Sequence, residues 1–230
     1  MRWINSRVEL LEPIDAPAIL RKIEKACRTC YQSLDLIQEG SAERLIRSCI
    51  NRGHESILEH ANITYRVICD RGVLAEWTRH RIASYSVEST RYCNYNKNKF
   101  GNELTFIYPY WYKDIADINK LKLIDELSED KQQKLQWWSL INSSCQDAET
   151  HYRMLIEEGA APDIARAILP NCLKTEIVCT MNMRELRNFF KLRTSPAAHG
   201  DIRKLAIELL QLLRDSGLSV LFEDIEVNND

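Results

Sequence analysis

The chain has 230 residues, 31 Lys and Arg against 33 Asp and Glu, and a net charge of −2 at pH 7. It is 45% hydrophobic and 28% charged, a balance that suits one large soluble domain with a sizeable core, or a core with a modest appendage. A near-neutral chain lacks the broad basic face of a nonspecific nucleic-acid binder. Arg2, Asn5, Ser6 and Arg7 break any apolar run after Met1. No stretch approaches bilayer length, so no membrane partner and a cytoplasmic location are expected.

In chain order, Val8 to Leu11 reads as a strand. Asp15 as cap and Pro17 as an early helical proline open a helix running to about Cys30. Ser41 is expected to cap a second helix, with Leu45, Ile46, Cys49 and Ile50 on one stripe and Gly53 as its stop. From Ala61 to Cys69 the residues Ile63, Tyr65, Val67 and Cys69 alternate onto one face, a strand pattern. Asp70-Arg71-Gly72 then reads as a turn and Val73 to Arg81 as a helix. An irregular segment follows, then a strand over Leu104 to Tyr108; residues 109 to 130 carry no clear pattern.

A long helix is expected from Asp130 to Glu158, carrying Leu135, Trp138, Ile141, Tyr152 and Leu155, with Gly159 as its stop. Pro162 starts another helix that halts near Pro170. Glu176 to Met181 reads as a strand. Asn182 with Glu185 forms a capping box for a helix through Leu192. Pro196 is expected to begin the last long helix, ending at Gly217, before an acidic tail (223–230) that is expected to fray. Helices and strands interleave without a Gly/Ser linker or a repeat. The expected fold is therefore α/β (α+β): a single domain, 1–230, with a mixed central sheet flanked by helices, long ones in the C-terminal half.

The chain holds eight cysteines, among them one CxxC, Cys27 and Cys30. A zinc ribbon needs a second close pair, which the sequence lacks, so buried free thiols are the better reading and no metal site is expected. Gly53-His54-Glu55-Ser56-Ile57-Leu58-Glu59-His60 superficially resembles a zinc-protease helix. Its histidines are six apart, however, and a zinc helix needs them four apart on one face. With only seven glycines and no Gly-rich loop, the residues alone give no expectation of a Rossmann or P-loop site. No Ser-His-Asp order and no cysteine paired with a histidine stands out as a nucleophile.

The densest chemistry lies in Arg79 to Tyr92, RHRIASYSVESTRY. Guanidinium forks and hydroxyls hold phosphate and imide oxygens in fixed geometry. A basic helix terminus facing the negative end of its dipole would account for Arg79 and Arg81. It leaves Ser84, Ser86, Ser89, Thr90 and Arg91 without a role, so a site for a small anionic ligand is the stronger reading. A third cluster holds Arg166, Asn182, Arg184, Asn188 and Arg193. Asn182 opens a helix whose N-terminus is itself an anion site, Arg187 is expected to face solvent, and Arg193 ends the helix.

These residues resemble the flavin-dependent thymidylate synthases. Arg79-His80-Arg81, seven residues, then Ser89 is similar to that family's signature. Gly53-His54-Glu55-Ser56 with Glu59-His60 resembles its upstream segment, Arg166-Ala-Ile-Leu-Pro170 its middle helix, and Asn182-Met-Arg184-Glu-Leu with Asn188 and Leu192-Arg193 its C-terminal signature. The likeness spans about residues 50 to 205 in the right order.

The resemblance implies a homotetramer of mixed α/β subunits with sites at subunit interfaces. It implies tightly bound FAD reduced by NADPH, methylenetetrahydrofolate as one-carbon donor and dUMP as substrate, with dTMP and tetrahydrofolate as products and no cysteine nucleophile. By position, Ser56, Glu59, Arg79, His80, Arg81, Val87, Asn182, Arg184 and Asn188 match flavin-binding residues. Glu76, Arg79, Val87, Glu88, Ser89, Thr90, Arg91, Arg166 and Arg193 match dUMP-binding ones. Arg193 matches the catalytic residue that polarises the uracil imide; a permanently charged guanidinium stabilises an imide anion.

Two departures from the family pattern stand out. Val87 occupies a place where many relatives carry Gln or Glu, leaving only its backbone to meet a ligand. His199-Gly200-Asp201 replaces the Ala-Gln-x-Glu often seen after the last arginine, a change expected to bear on helix packing rather than chemistry. The alternative function is a catalytically silent nucleotide- or RNA-binding module on the same fold, for which Val87 is the sequence support.

Overall fold

The computed structural model describes residues 1–97, 101–118 and 127–227 of the protein. In chain order the strands and helices are β1 (Arg2–Ile4), β2 (Arg7–Leu10), α1 (Ala16–Thr29), α2 (Ser41–Asn51), β3 (Asn62–Asp70), α3 (Arg71–Trp77), β4 (Ala83–Val87), β5 (Thr105–Ile107), α4 (Glu129–Glu157), α5 (Pro162–Ala165), β6 (Lys174–Asn182), α6 (Met183–Arg193) and α7 (Gly200–Leu213). The class is mixed α/β, as expected. The strands form a four-stranded sheet in the order β2–β3–β6–β4 and a separate parallel pair, β1 with β5. The sequence reading missed β1, because three residues are too few to display an alternation.

The chain divides into two compact units. The first comprises Met1–Ser6, Ile68–Leu74 and Val87–Glu176. Its core gathers Leu104 and Phe106 around β5, Leu173, and Cys145 and Tyr152 of α4, with Trp3 packed against them. Cys145, Glu149 and Tyr152 are the buried positions of α4; the spacing of four then three puts them on one stripe of an otherwise wet helix. Gly159 at φ 91° ends it, a conformation that costs a glycine little.

The second unit comprises Arg7–Val67, Ala75–Ser86 and Ile177–Asp230. The alternation expected for β3 holds, with Ile63, Tyr65 and Val67 buried, and β6 buries Ile177, Cys179 and Met181 in the same manner. Helix α7 buries Ile202, Leu205, Ala206, Leu209 and Leu213.

Several boundaries differ from expectation for local reasons. The cap of α2 is Gly40 at φ 68°, while Ser41 is the first helical residue and its hydroxyl lies 2.6 Å from the Glu24 carboxylate. Helix α3 begins at Arg71 directly after the strand, because the Asp70 carboxylate accepts from the Val73 N–H at 2.7 Å and acts as a cap rather than a turn. It ends at Trp77, four residues early, and the segment expected to be irregular becomes β4. Helix α5 is only one turn and continues as a 3-10 turn, Arg166–Ile168. Helix α7 starts at Gly200 rather than at Pro196.

The cysteines are free thiols, five of them buried. Cys27 lies 3.4 Å from Cys49, while Cys30 is exposed. Among the described residues no cluster of His, Cys, Asp and Glu is arranged to hold a metal ion. Nor is any described helix long and apolar enough to cross a membrane.

Arg187 corrects a further expectation. Far from facing solvent, its side chain is 1% exposed. Its guanidinium donates to Asp224 through both terminal nitrogens at 2.7 Å, to Glu55 at 3.0 Å, and to the Leu221 carbonyl. The start of the acidic tail is therefore tied to the 3-10 segment Glu55–His60; residues 228–230 lie outside the described residues. The helical stripe placed Arg187 inward, and three acceptors from distant positions make that burial affordable. Arg187→Ala strips these acceptors of their cation and should lower unfolding free energy by about 3 kcal/mol. Urea denaturation would check this, and a loss under about 1 kcal/mol, the range of an exposed pair, would contradict it.

Candidate active site

In the second unit, the strand-to-helix junction β6–α6 is the frame. Asn182 is both the last residue of β6 and the cap of α6, its side-chain oxygen accepting from the Glu185 N–H at 2.8 Å. That is half of the expected capping box. The Glu185 carboxylate turns instead to His80 Nδ1 at 3.1 Å and to the Asn188 amide at 3.3 Å. At the far end of α6, eight residues on and so roughly two turns along the same face, stands Arg193.

Arg193 is fixed at three points. Its Nε–H donates to His80 Nε2 at 3.1 Å, Nη1 to the Glu76 carboxylate at 3.4 Å and Nη2 to the Glu76 carbonyl at 3.2 Å. A guanidinium has five N–H donors, so donors on the terminal nitrogens remain for a ligand, and its side chain is 21% exposed. His80 sits behind it, buried at 5% exposure, its ring edge-on to Phe189 at 4.9 Å. The Tyr85 hydroxyl, from β4, lies 2.6 Å from the His80 carbonyl and 3.0 Å from that of Trp77, and so secures the end of α3.

Protonation follows from this geometry. Guanidinium Nε only donates, so His80 Nε2 must accept, which requires a neutral ring with its proton on Nδ1 facing Glu185. Burial is the main force holding the His80 pKa below its ordinary value; the Glu185 acceptor opposes it and the Arg193 charge adds to it. Burial and the Arg193 charge together outweigh Glu185, and the balance agrees with the neutral imidazole that the geometry requires.

Elsewhere in this unit, Arg184 pairs with Glu59 at 2.5 Å, both about half exposed. Asn182, Arg184, Asn188, Glu59, Ile82 and Lys191 line a cleft of about 540 Å³. Ser56, Arg79 and Arg81 are exposed. His199 bears on the site directly, contrary to expectation: its Nδ1 lies 2.8 Å from the Glu76 carboxylate that also holds Arg193.

The remaining candidates belong to the first unit. Ser89 opens a tight turn in which its hydroxyl accepts from the Arg91 N–H at 3.2 Å and its carbonyl from the Cys93 N–H at 3.1 Å. Thr90 is buried, with its hydroxyl 3.3 Å from Arg166 Nη1. Arg91 is exposed and stacks over the Tyr92 ring at 5.6 Å. Glu88 is committed to Lys174 at 2.8 Å and to the Tyr95 hydroxyl at 3.2 Å. Val87 closes β4 with an exposed side chain. The candidates thus form one group on each unit. Sequence reasoning missed Glu185, His199 and Tyr85 as members of the site; Glu185 looked like a cap alone because its partner His80 is 105 residues away.

The neutral His80 makes stability pH-dependent. An imidazole in the unfolded chain takes a proton near pH 6.5, before the folded one does. The contribution is therefore fully present above that value and is lost as pH falls toward the lower folded-state value. Thermal melts should lose stability as pH falls below about 6.5, and lose less of it in His80→Gln. Equal pH slopes for the two proteins would contradict the assignment.

Comparison with known proteins gives this geometry its context. Residues 14–216 match the family model described as "Thymidylate synthase complementing protein". The flavin-dependent thymidylate synthase of Geobacter sulfurreducens is 30% identical over 196 residues, covering 82% of this chain and 75% of that protein. That of Thermococcus onnurineus is 34% identical over 211 residues, covering 91% and 76%. Among solved structures, the flavin-dependent thymidylate synthase ThyX from Helicobacter pylori, complexed with FAD and dUMP, aligns with a TM-score of 0.68 at 25% identity, covering 96% of this chain and 100% of that one. The UMP/dUMP methylase PolB from Streptomyces cacaoi shares the fold, with a TM-score of 0.77 at 22% identity over the whole of both chains. The chain belongs to the flavin-dependent thymidylate synthase family.

Proposed function

We propose that this protein makes dTMP from dUMP, taking the carbon from methylenetetrahydrofolate and its reducing power from NADPH through FAD. The observation that carries the reading is Arg193: a guanidinium anchored at three points with terminal N–H groups directed to no other group among the described residues. Such a fixed, permanently charged donor stabilises the anionic form of the uracil imide and so activates the ring.

The chemistry of the second unit's cleft suits a flavin. Carboxamides at Asn182 and Asn188 and the Arg184 guanidinium supply donors to ring and phosphate oxygens. Bound FAD supplies a hydride-carrying centre there; Ser56, Arg79 and Arg81 belong with these residues in this reading. The exposed Glu59–Arg184 pair contributes little in water, so it yields to a phosphate at small cost. On the first unit, Ser89, Thr90, Arg91 and Arg166 bring hydroxyls and guanidinium groups that suit a nucleotide monophosphate. Glu76 holds Arg193, while Val87 and Glu88 flank the phosphate group, Val87 through its backbone. Residues 1–230 act as one functional domain, the protein works as a homotetramer, and its sites take residues from more than one copy.

Purified protein supplied with FAD, NADPH and methylenetetrahydrofolate should convert dUMP to dTMP. Tight dUMP binding without NADPH oxidation would overturn the reading in favour of a silent nucleotide-binding module. Arg193→Ala should cut turnover by at least about 10²-fold while FAD content stays near normal; loss of FAD with dUMP affinity intact would make Arg193 a flavin ligand instead. Light scattering should report a flavin-loaded oligomer, and a flavin-loaded monomer would contradict shared sites.

A further inference from the structure

We propose that His80 is a positioning residue: a neutral imidazole, locked by Glu185 in the tautomer that accepts from Arg193, which holds the guanidinium at the angle its chemistry needs. The inference rests on the role given to Arg193 above and adds two residues to it, one of which the family resemblance places against the flavin and the other nowhere.

The argument begins with hydrogen-bond capacity. Both ring nitrogens of His80 are engaged inside the protein, Nδ1 with Glu185 at 3.1 Å and Nε2 with Arg193 at 3.1 Å. The side chain is 4% exposed, and that of Glu185 is 7% exposed. A ring with both nitrogens in use has none left for a flavin. The Nδ1–H form satisfies both bonds; the Nε2–H form would set a hydrogen against the Arg193 Nε–H and leave Nδ1 facing a carboxylate, two repulsions in place of two bonds. Glu185 therefore selects the tautomer as an orienting carboxylate selects that of a catalytic imidazole.

Sequence and fold make the device local. Glu185 and Arg193 ride on α6, and the cap at Asn182 fixes where that helix starts. Phe189 packs edge-on to the His80 ring at 4.9 Å, with Trp77 against Phe189 at 4.6 Å, and the burial of the imidazole keeps water from competing for either bond. The charged groups recorded facing the ring are Glu185 and Arg193; Glu76 meets only the far side of the guanidinium. Protonation of His80 would place a second donor against Arg193, so turnover should fall on the acid side with this group. Removing the Glu185 charge, which favours protonation, should move that limb to lower pH.

The test uses the full-length FAD-loaded enzyme and four variants. His80→Phe keeps a ring but offers no acceptor, and a misplaced Arg193 should reduce kcat by roughly 10²-fold. His80→Gln offers an amide oxygen to Arg193 and an amide hydrogen to Glu185, and should recover about tenfold of that loss. Glu185→Gln keeps an acceptor oxygen for the Nδ1–H but no charge, so it should lose less kcat than Glu185→Leu and show its acid limb displaced downward, whereas Glu185→Leu should resemble His80→Phe. FAD content should be unchanged throughout. Independently of activity, 15N spectra of labelled histidine should show His80 with a protonated Nδ1 and an unprotonated Nε2. A protonated Nε2, a wild-type kcat in His80→Phe, or FAD lost in step with activity would each overturn the proposal. If wild type itself fails to methylate dUMP, the proposed function fails, while the nitrogen spectra still decide the tautomer.

Discussion

A guanidinium Nε has a hydrogen and no lone pair to offer, and much of the site follows from that restriction. Arg193 must find an acceptor at Nε, and the acceptor is an imidazole nitrogen. An imidazole accepts only when neutral, so the site needs a histidine that resists protonation beside a carboxylate that would favour it. Burial settles the contest, because desolvation outweighs the attraction of Glu185 for a second proton. The Phe189 ring against His80 is thus part of the electrostatics as well as part of the core.

The fold supplies the two ends of this arrangement from different parts of the chain. The last turn of α3 carries Glu76 and the segment leaving it His80, and the Tyr85 hydroxyl holds the Trp77 and His80 carbonyls as the chain turns into β4. The β6–α6 junction carries Glu185 and Arg193. Behind α6 the buried Arg187 binds Asp224 and Glu55, so the same helix that displays Arg193 on one face is anchored through another. Removing either anchor would leave charged groups without partners in places water reaches poorly.

How much of this the sequence displays depends on range. The alternation of Ile63, Tyr65 and Val67, the Asp15 and Asn182 caps and the glycine stop at Gly159 are local patterns, and the structure has them where they were expected. Boundaries set by a single side-chain bond, such as Asp70 to the Val73 N–H, were misread as turns because composition does not say whom a carboxylate will bind. The long-range partnerships were the least legible: Glu185 with His80, His199 with Glu76, and Arg187 with Asp224 join residues whose meeting only packing decides. The family motifs drew attention to His80 and Arg193 as residue types; that the Glu185 carboxylate, between the capping Asn182 and Arg193, meets His80 emerged only from geometry.

The most direct measurement is a double-mutant cycle on turnover, comparing His80→Phe, Arg193→Ala and the combined variant with wild type. If His80 acts through Arg193, the combined variant should be no slower than Arg193→Ala alone, since an imidazole cannot position a guanidinium that is gone. Multiplicative losses, with the combined variant slower than Arg193→Ala by the full factor of His80→Phe, would show that His80 serves the reaction independently and would contradict the account.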